Sequence, residues 1–334
     1  MKAWLRAQPQ IESFYRRHLV SHGPGSWLFN QTTVRWLYRP ELSSELPAHL
    51  KLFAAYCRAQ QTLNVSGHIL GGSWMFGRLS RLGQRLSADS SIRVKLGAYV
   101  IYLDAHDPRL LQVPNELLPG AEHADVLEHF LAPGDSFVDI GANHGSLSVM
   151  AAHRVGPSGR VVAVEAQPKL AALVERSLGA NQQAPFEVHA CAVGESPGRA
   201  QFFVPKQTSG SAGLHAEFSA TEEHERLEVE IKTLDSLCDW SKLPGQTLAK
   251  LDVEGNELSV LRGARRFIAE RRPKILLEVN DASMRAANVT RQALVAELTA
   301  QGYAAYVAER ELTKPLPLPE LVQERSRNVV ILGS

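Results

Sequence analysis

The sequence predicts an α/β chain built on a doubly wound, mostly parallel sheet of seven strands, preceded by a mainly helical N-terminal extension. Three observations carry that expectation. Phe137-Val-Asp-Ile140 is an apolar run entering the glycine turn Gly141-Ala-Asn-His-Gly145. Val161-Val-Ala-Val164 is a second apolar run that ends on Glu165, which completes the strand, turn, helix, strand and acid pattern of a nucleotide-binding unit. Beyond it, β-rich runs alternate with helical patterns, which implies parallel strands covered by helices on both faces.

Taken in chain order, residues 1–90 read as helices and loops. Apolar residues recur at three-to-four spacing in Ile11–Tyr15, His49–Cys57 and Phe76–Leu82, interrupted by Gly23-Pro-Gly25 and Gly71-Gly72. The domain boundaries that follow are 1–90 for the extension and 91–334 for the α/β domain, with the extension a candidate surface for homodimerisation. Ile92–Leu96 and Tyr99–Leu103 flank Gly97-Ala98 as a β-hairpin, and Val126–Leu131 is a short helix halted at Pro133-Gly134.

The α/β alternation begins with a strand at 136–140, a helix at about 145–154 and a strand at 160–165. Pro168 opens the next helix, whose apolar stripe is Leu170, Leu173, Val174 and Leu178 and whose stop is Gly179. Phe186–Ala190 is a third strand, and Arg199–Val204 pairs with Leu227–Ile231 as an extra hairpin around a polar loop. Leu248–Asp252 is a fourth sheet strand. The helix after it carries Leu258, Leu261, Ala264 and Ile268 and stops at Arg272-Pro273, before the strand Ile275–Val279. Leu294–Leu298, Tyr303–Val307 and Asn328–Leu332 add one helix and two strands.

Bulk properties exclude several classes of partner. The 334 residues are 44% hydrophobic and 21% charged, with a formal net charge of +1, so neither nucleic acid nor an anionic membrane is attracted by charge alone. Met1–Arg17 lacks the apolar core of a signal peptide, and no run approaches a membrane span. Cys57, Cys191 and Cys238 are scattered and odd in number, as in a reducing compartment. A cytoplasmic location is the expectation, and the Asn-x-Ser/Thr triplets at Asn30, Asn64 and Asn288 read as chance.

The glycine turn narrows the cofactor. Dehydrogenases use G-x-G-x-x-G, whose second glycine admits a pyrophosphate. Here the spacing is G-x-x-x-G and an acid, Asp139, stands two residues before the first glycine. A negative charge there repels pyrophosphate and suits an ammonium, which favours S-adenosyl-L-methionine over a nicotinamide cofactor. No Gly-Lys-Ser/Thr follows, so a phosphate loop is excluded.

Asp139-Ile-Gly-Ala-Asn-His-Gly145, Val164-Glu-Ala-Gln-Pro168, Thr233-Leu-Asp235 and Lys250-Leu-Asp-Val-Glu-Gly-Asn-Glu257 occur in that order, followed by Leu261-Arg-Gly-Ala264, Arg272-Pro273 and Leu276-Leu-Glu-Val279. This series, over about residues 125–332, resembles the FkbM-type methyltransferases. The resemblance implies a class I methyltransferase Rossmann-like fold, S-adenosyl-L-methionine as cofactor, and O-methylation of a hydroxyl on a sugar, glycan or natural product. His144 stands where the family often has an apolar residue, and residues 1–90 have no assignable counterpart.

The candidate cofactor residues are Asp139, Gly141, Ala142, Asn143, Gly145, Glu165, Ala192 and Asp252. Gly141 and Gly145 shape the turn, Asn143 contacts the cofactor or caps the next helix, and Glu165 accepts from the ribose hydroxyls. Cys191-Ala-Val193 lines the adenine by strand order, with Cys191 a packed residue. Asp252 and Glu254 are the candidate catalytic pair, placed on one side of an extended strand end by their two-residue spacing. The alternative for Glu254 and Glu257 is a favourable interaction with the following helix dipole. Glu278 and His215 are candidates for the substrate pocket, the latter on the polar loop 206–226, whose length suits a lid. The twelve histidines show no metal-ligand spacing and no Cys-x-x-Cys occurs, so no metal is expected; a divalent metal held by Asp252 and Glu254 as oxygen ligands is the alternative. A non-catalytic binding or scaffold protein and an NAD-dependent oxidoreductase are the competing functional classes.

Overall fold

The computed structural model describes residues 28–30, 51, 52, 55, 68–70, 91–105, 107–118, 120, 121, 123–205, 209–215, 224–324 and 328–333. The chain divides into two compact units, residues 1–98 with 103–118, and residues 99–102 with 119–334. In the first, β1 (Leu28–Asn30) pairs antiparallel with β2 (His68–Leu70), two short strands that the helical pattern did not predict. The predicted helices at 11–15 and 76–82 lie outside the described residues, as does most of 49–57. Both strands of the predicted hairpin are present as β3 (Ser91–Leu96) and β4 (Tyr99–Asp104).

The second unit is organised by one large sheet. Its strands are β5 (Ser136–Ile140), β6 (Arg160–Val164), β7 (Phe186–His189), β11 (Thr247–Leu251), β12 (Lys274–Glu278), β13 (Ala305–Ala308), β14 (Leu316–Pro317) and β15 (Asn328–Leu332). The order across the sheet is β14-β13-β15-β12-β11-β5-β6-β7. From β12 to β7 all pairs are parallel, while β15 runs antiparallel to both β12 and β13. The doubly wound sheet is therefore present with eight strands rather than seven. The addition is the two-residue β14, a Pro-containing edge too short to show a period-2 signal. A smaller sheet, β8 (Ala192–Val193), β10 (His224–Lys232) and β9 (Gly198–Pro205), contains the predicted extra hairpin.

Strand alternation sorts the core into two layers. Phe137, Val161, Ala163, Leu248 and Leu276 face a cluster that includes α1 (Ala124–Phe130), α2 (Ser146–Val155) and α3 (Pro168–Asn181). Val138, Ile140, Val162, Val164, Ala249, Leu251, Ile275 and Leu277 face the other cluster, with α4 (Glu257–Arg262), α5 (Arg265–Arg271), α6 (Asp281–Ala286) and α7 (Arg291–Ala300). Each fully buried Val, Leu or Ile stabilises the fold by roughly 1.5–3 kcal/mol before entropy is counted. None of the described helices is long and apolar enough to cross a membrane.

Two helix boundaries differ from the sequence pattern. Helix α3 passes through Gly179 and stops at Gln182, whose φ is 49°. It is held to that length by Asn181, which accepts from the Val100 N–H and donates to the Val100 carbonyl, at 3.0 and 2.7 Å. The single helix expected over 257–271 is two, α4 and α5, because Asp235 ends one and starts the other. The Asp235 N–H donates to the Gly263 carbonyl, and its carboxylate accepts from the N–H groups of Arg266 and Phe267 at 2.9 and 2.8 Å. Asp235 therefore caps α5 from a distant segment.

Losing that cap costs about 1 kcal/mol. Asp235→Ala is expected to lower the urea midpoint accordingly, and Asp235→Asn, which retains one acceptor, to fall between it and the wild type.

Candidate active site

The switch point of the sheet lies between β5 and β11, where the connections leave in opposite directions, and open α/β sheets bind ligands there at the strand carboxyl ends. Most of the residues singled out from the sequence gather around this point. Gly141 follows β5 with φ of 84°, and a Cβ there would sit 1.9 Å from the Asp252 carbonyl oxygen. Glycine is thus required by the approach of the segment after β11. The Gly141 and Ala142 N–H groups donate to the Val164 carbonyl, which draws the turn onto the end of β6. Gly145 lies against Val174 of α3 and ends the turn where α2 begins.

Asp139 is completely buried and held within the protein. Its Oδ2 accepts from the Ser148 hydroxyl at 2.6 Å, and its Oδ1 is 3.7 Å from Lys250 Nζ. Burial pushes its carboxyl above the ordinary range, against the pull of the Lys250 charge and the Ser148 hydrogen bond. Asp139 and Lys250 are register partners on adjacent strands. The Lys250 ammonium also donates to the Gly141 carbonyl at 2.7 Å and lies 3.1 Å from Asp252 Oδ2. Lys250 therefore joins β5, the glycine turn and the end of β11, a role that the sequence reading did not assign. The available signal was a lone lysine among Leu248, Ala249 and Leu251 of a strand.

Glu165, at the end of β6, is 5% exposed. Its Oε2 accepts from the Asn143 N–H at 2.7 Å and its Oε1 from the Gln167 N–H at 2.9 Å. Burial raises its carboxyl, opposed by the Gln167 and Asn143 hydrogen bonds. Asn143, in the left-handed region at φ 51°, does not cap α2. Its Oδ1 accepts from the His144 N–H, and the helix N-cap is Gly145. Ala192 lies in the small sheet, and Asn256 Nδ2 donates to the neighbouring Val193 carbonyl at 2.7 Å. Cys191 is buried and its thiol is pushed up to about 11, as expected of a packed residue.

Asp252, Glu254 and Glu278 come together, with one carboxylate oxygen of each within 4.8 Å of the others. The extended spacing expected to align Asp252 and Glu254 is not how this happens. Strand β11 ends at Leu251 and the chain turns, with Glu254 at φ 51° followed by Gly255 at φ 100°. A Cβ at Gly255 would lie 2.5 Å from the Ser283 carbonyl oxygen. Glu257 holds this turn, its Oε1 accepting from the Val253 and Gly255 N–H groups at 3.2 and 3.1 Å. Burial pushes Glu257 up to about 7, against those donors.

Three such carboxylates can accept from hydroxyl groups and also match the hard oxygen donors that divalent cations use. The cluster draws on two strand ends, so no local ligand spacing could reveal it. Ser209–Ser211 and the residues to His215 pass alongside. Asn143 Nδ2 donates to the Ser209 carbonyl, and the Cα of Gly213 directs its open side at Glu254, 3.4 Å from an ideal Cβ position to Glu254 Cβ. Burial holds the half-buried His215 imidazole below its ordinary range, which favours its neutral form.

Residues 139–304 match the family model of the methyltransferase FkbM domain. Among solved structures, the chain is similar to methyltransferase FkbM from Methylobacillus flagellatus KT, with 18% identity, a TM-score of 0.36 and coverage of 62% of this chain. The match spans half (50%) of that chain's length. It is also similar to precorrin-6y C5,15-methyltransferase from Geobacter metallireducens GS-15, with 17% identity, a TM-score of 0.32 and coverage of 65% of this chain and 88% of that one. A SAM-dependent methyltransferase from Aquifex aeolicus is 13% identical, with a TM-score of 0.35 and coverage of 68% and 93%. No curated protein matches the sequence.

Two outcomes follow from these contacts. Lys250→Met removes the cation beside Asp139 and is expected to destabilise the protein by about 3 kcal/mol or more, with Asp139→Asn in the same chain restoring part of the loss in denaturant titration. Glu257 contributes stability that is fully present below its unfolded value and lost as pH rises through about 7. Glu257→Gln should therefore raise the melting temperature over the wild type at pH 8.5 and show a smaller gain at pH 5.

Proposed function

From the FkbM methyltransferase domain that the chain carries at residues 139–304, we propose that it transfers a methyl group from S-adenosyl-L-methionine to a hydroxyl oxygen of a sugar, glycan or other natural-product acceptor. The observation that supports the cofactor is the pair of acids at the switch point. Each Glu165 oxygen takes one backbone N–H, the Gln167 side chain also donates to the carboxylate, and the acceptor capacity that remains suits a ribose hydroxyl. Asp252 retains 34% of its side-chain exposure and suits an ammonium. A pyrophosphate would meet both carboxylates, while Lys250 is already engaged by Asp139, Asp252 and the Gly141 carbonyl. The residues fit a cationic cofactor without phosphate and disfavour a nicotinamide dinucleotide.

When bound, S-adenosyl-L-methionine supplies an electrophilic methyl group and a neutral thioether leaving group. The protein's part is alignment and proton management. Glu165 and the Gly141–Asn143 turn fix the nucleoside end, and Asp252 fixes the amino-acid end. Orientation of this kind contributes about 7–11 kcal/mol to lowering a barrier. Glu254 holds the acceptor hydroxyl and takes its proton, with Asp252 and Glu278 accepting from neighbouring hydroxyls. The residues 209–215 exclude water on that side, and the neutral His215 imidazole is the second candidate base.

The test is calorimetry with S-adenosyl-L-methionine, its demethylated product and NAD, followed by radiolabelled methyl transfer to hydroxylated acceptors. Binding of the first two and not NAD is expected. Glu165→Ala should weaken cofactor binding by about 2–3 kcal/mol through two lost charge-assisted hydrogen bonds. Glu254→Gln should keep cofactor affinity and lower single-turnover transfer by roughly 100-fold or more. Cofactor binding with no transfer to any acceptor would favour a non-catalytic binding protein, and NAD binding alone would overturn the reading.

A further inference from the structure

Asn143 touches both halves of the candidate site. Its N–H donates to Glu165 Oε2 at 2.7 Å, and its side-chain amide donates to the Ser209 carbonyl and hydroxyl at 3.2 and 3.1 Å. The orientation of that amide is set, because its Oδ1 accepts from the His144 N–H at 3.0 Å. Asparagine is also among the few residues that tolerate the left-handed backbone found here. The residue thus sends one donor to the acid expected to hold ribose and two donor contacts to another segment.

That segment ends at the acid cluster. Ser209 is buried and begins a single turn, Ser209–Ser211. Two residues on, Gly213 exchanges both backbone hydrogen bonds with Phe203 of β9, at 2.8 and 3.1 Å, and its Cα lies against Glu254. Strand β9 therefore secures the Gly213 end. The Ser209 end is tied to the glycine turn through Asn143.

We propose that Asn143 is a positioning residue that couples cofactor occupancy to the seating of Ser209–Gly213 beside Glu254. The inference rests on the cofactor reading above. Ribose hydroxyls held by Glu165 favour its ionised form, which strengthens the hydrogen bond from the Asn143 N–H. Asn143 is then fixed in its left-handed conformation with Nδ2 on Ser209, and the wall of the acceptor side is in place. Linkage makes the effect reciprocal, so a seated segment raises cofactor affinity by the same factor. The consequence for turnover is an ordered sequence in which the acceptor site is completed after the cofactor arrives.

Hydrogen exchange of the full chain, with and without S-adenosylhomocysteine, tests this. In the wild type the ligand is expected to slow exchange both at 141–149 and at 209–215. Asn143→Gly keeps the backbone N–H to Glu165 and the left-handed conformation while removing the tie to Ser209. It should bind the ligand about 3- to 10-fold more weakly, retain protection at 141–149 and lose it at 209–215. Ser209→Ala, which keeps the carbonyl acceptor, should retain part of the protection and serves if the glycine variant does not fold. Equal protection of 209–215 in Asn143→Gly, or ligand binding by the wild type without protection there, would overturn the coupling alone. Failure of the wild type to bind S-adenosylhomocysteine in calorimetry would overturn the cofactor reading and the coupling with it.

Discussion

The site is organised around one buried ammonium. Lys250 sits in the central strand β11 beside Asp139 of β5, and its Nζ reaches the carbonyl of Gly141 and the carboxylate of Asp252. Removing two charges from water costs several kcal/mol per ion, and their attraction only roughly offsets it. The gain is in arrangement. A one-residue slip between β5 and β11 would turn Lys250 toward the opposite apolar layer and strand its charge, so the pair selects a single register. With that register fixed, the Asp252 carbonyl comes so close to Gly141 that no side chain fits between them.

Other turns depend on the same placement. Asn143 and Glu254 both adopt positive φ, which is uncommon outside glycine, and both are held by partners brought near by the strand ends. Asn143 is secured through Glu165 and Ser209, and the Glu254 turn through Glu257 bridging two N–H groups. Strained backbone at strand ends directs side chains that regular structure would point elsewhere. The three carboxylates converge by this means, although nothing in their sequence spacing requires it.

Much of this was legible in the sequence because the signals are local. Apolar runs ending in Gly141 or Glu165 marked strands and the turns at their ends, and Pro168 and Pro273 marked helix limits. What was not legible depends on distant partners. Asp235 splits a helix lying some thirty residues downstream, as β-rich and helical patterns cannot register a cap from another segment. Asn181 extends α3 past a glycine because its amide pairs with Val100. The partners of the buried Asp139 carboxylate, Ser148 on the following helix and Lys250 on the neighbouring strand, could not be read from position alone. The eighth strand is a two-residue edge containing Pro317, too brief for any periodicity.

Strand β15 carries a consequence for biosynthesis. It lies inside the sheet between β12 and β13, antiparallel to both, yet it follows them in the chain. While the ribosome is still making it, β12 and β13 each present an unpaired row of backbone donors and acceptors, the kind of edge that recruits other chains. A nascent chain thus passes through an interval in which the middle of its sheet is open, and slow elongation before Asn328 would lengthen exposure to aggregation without changing the finished fold.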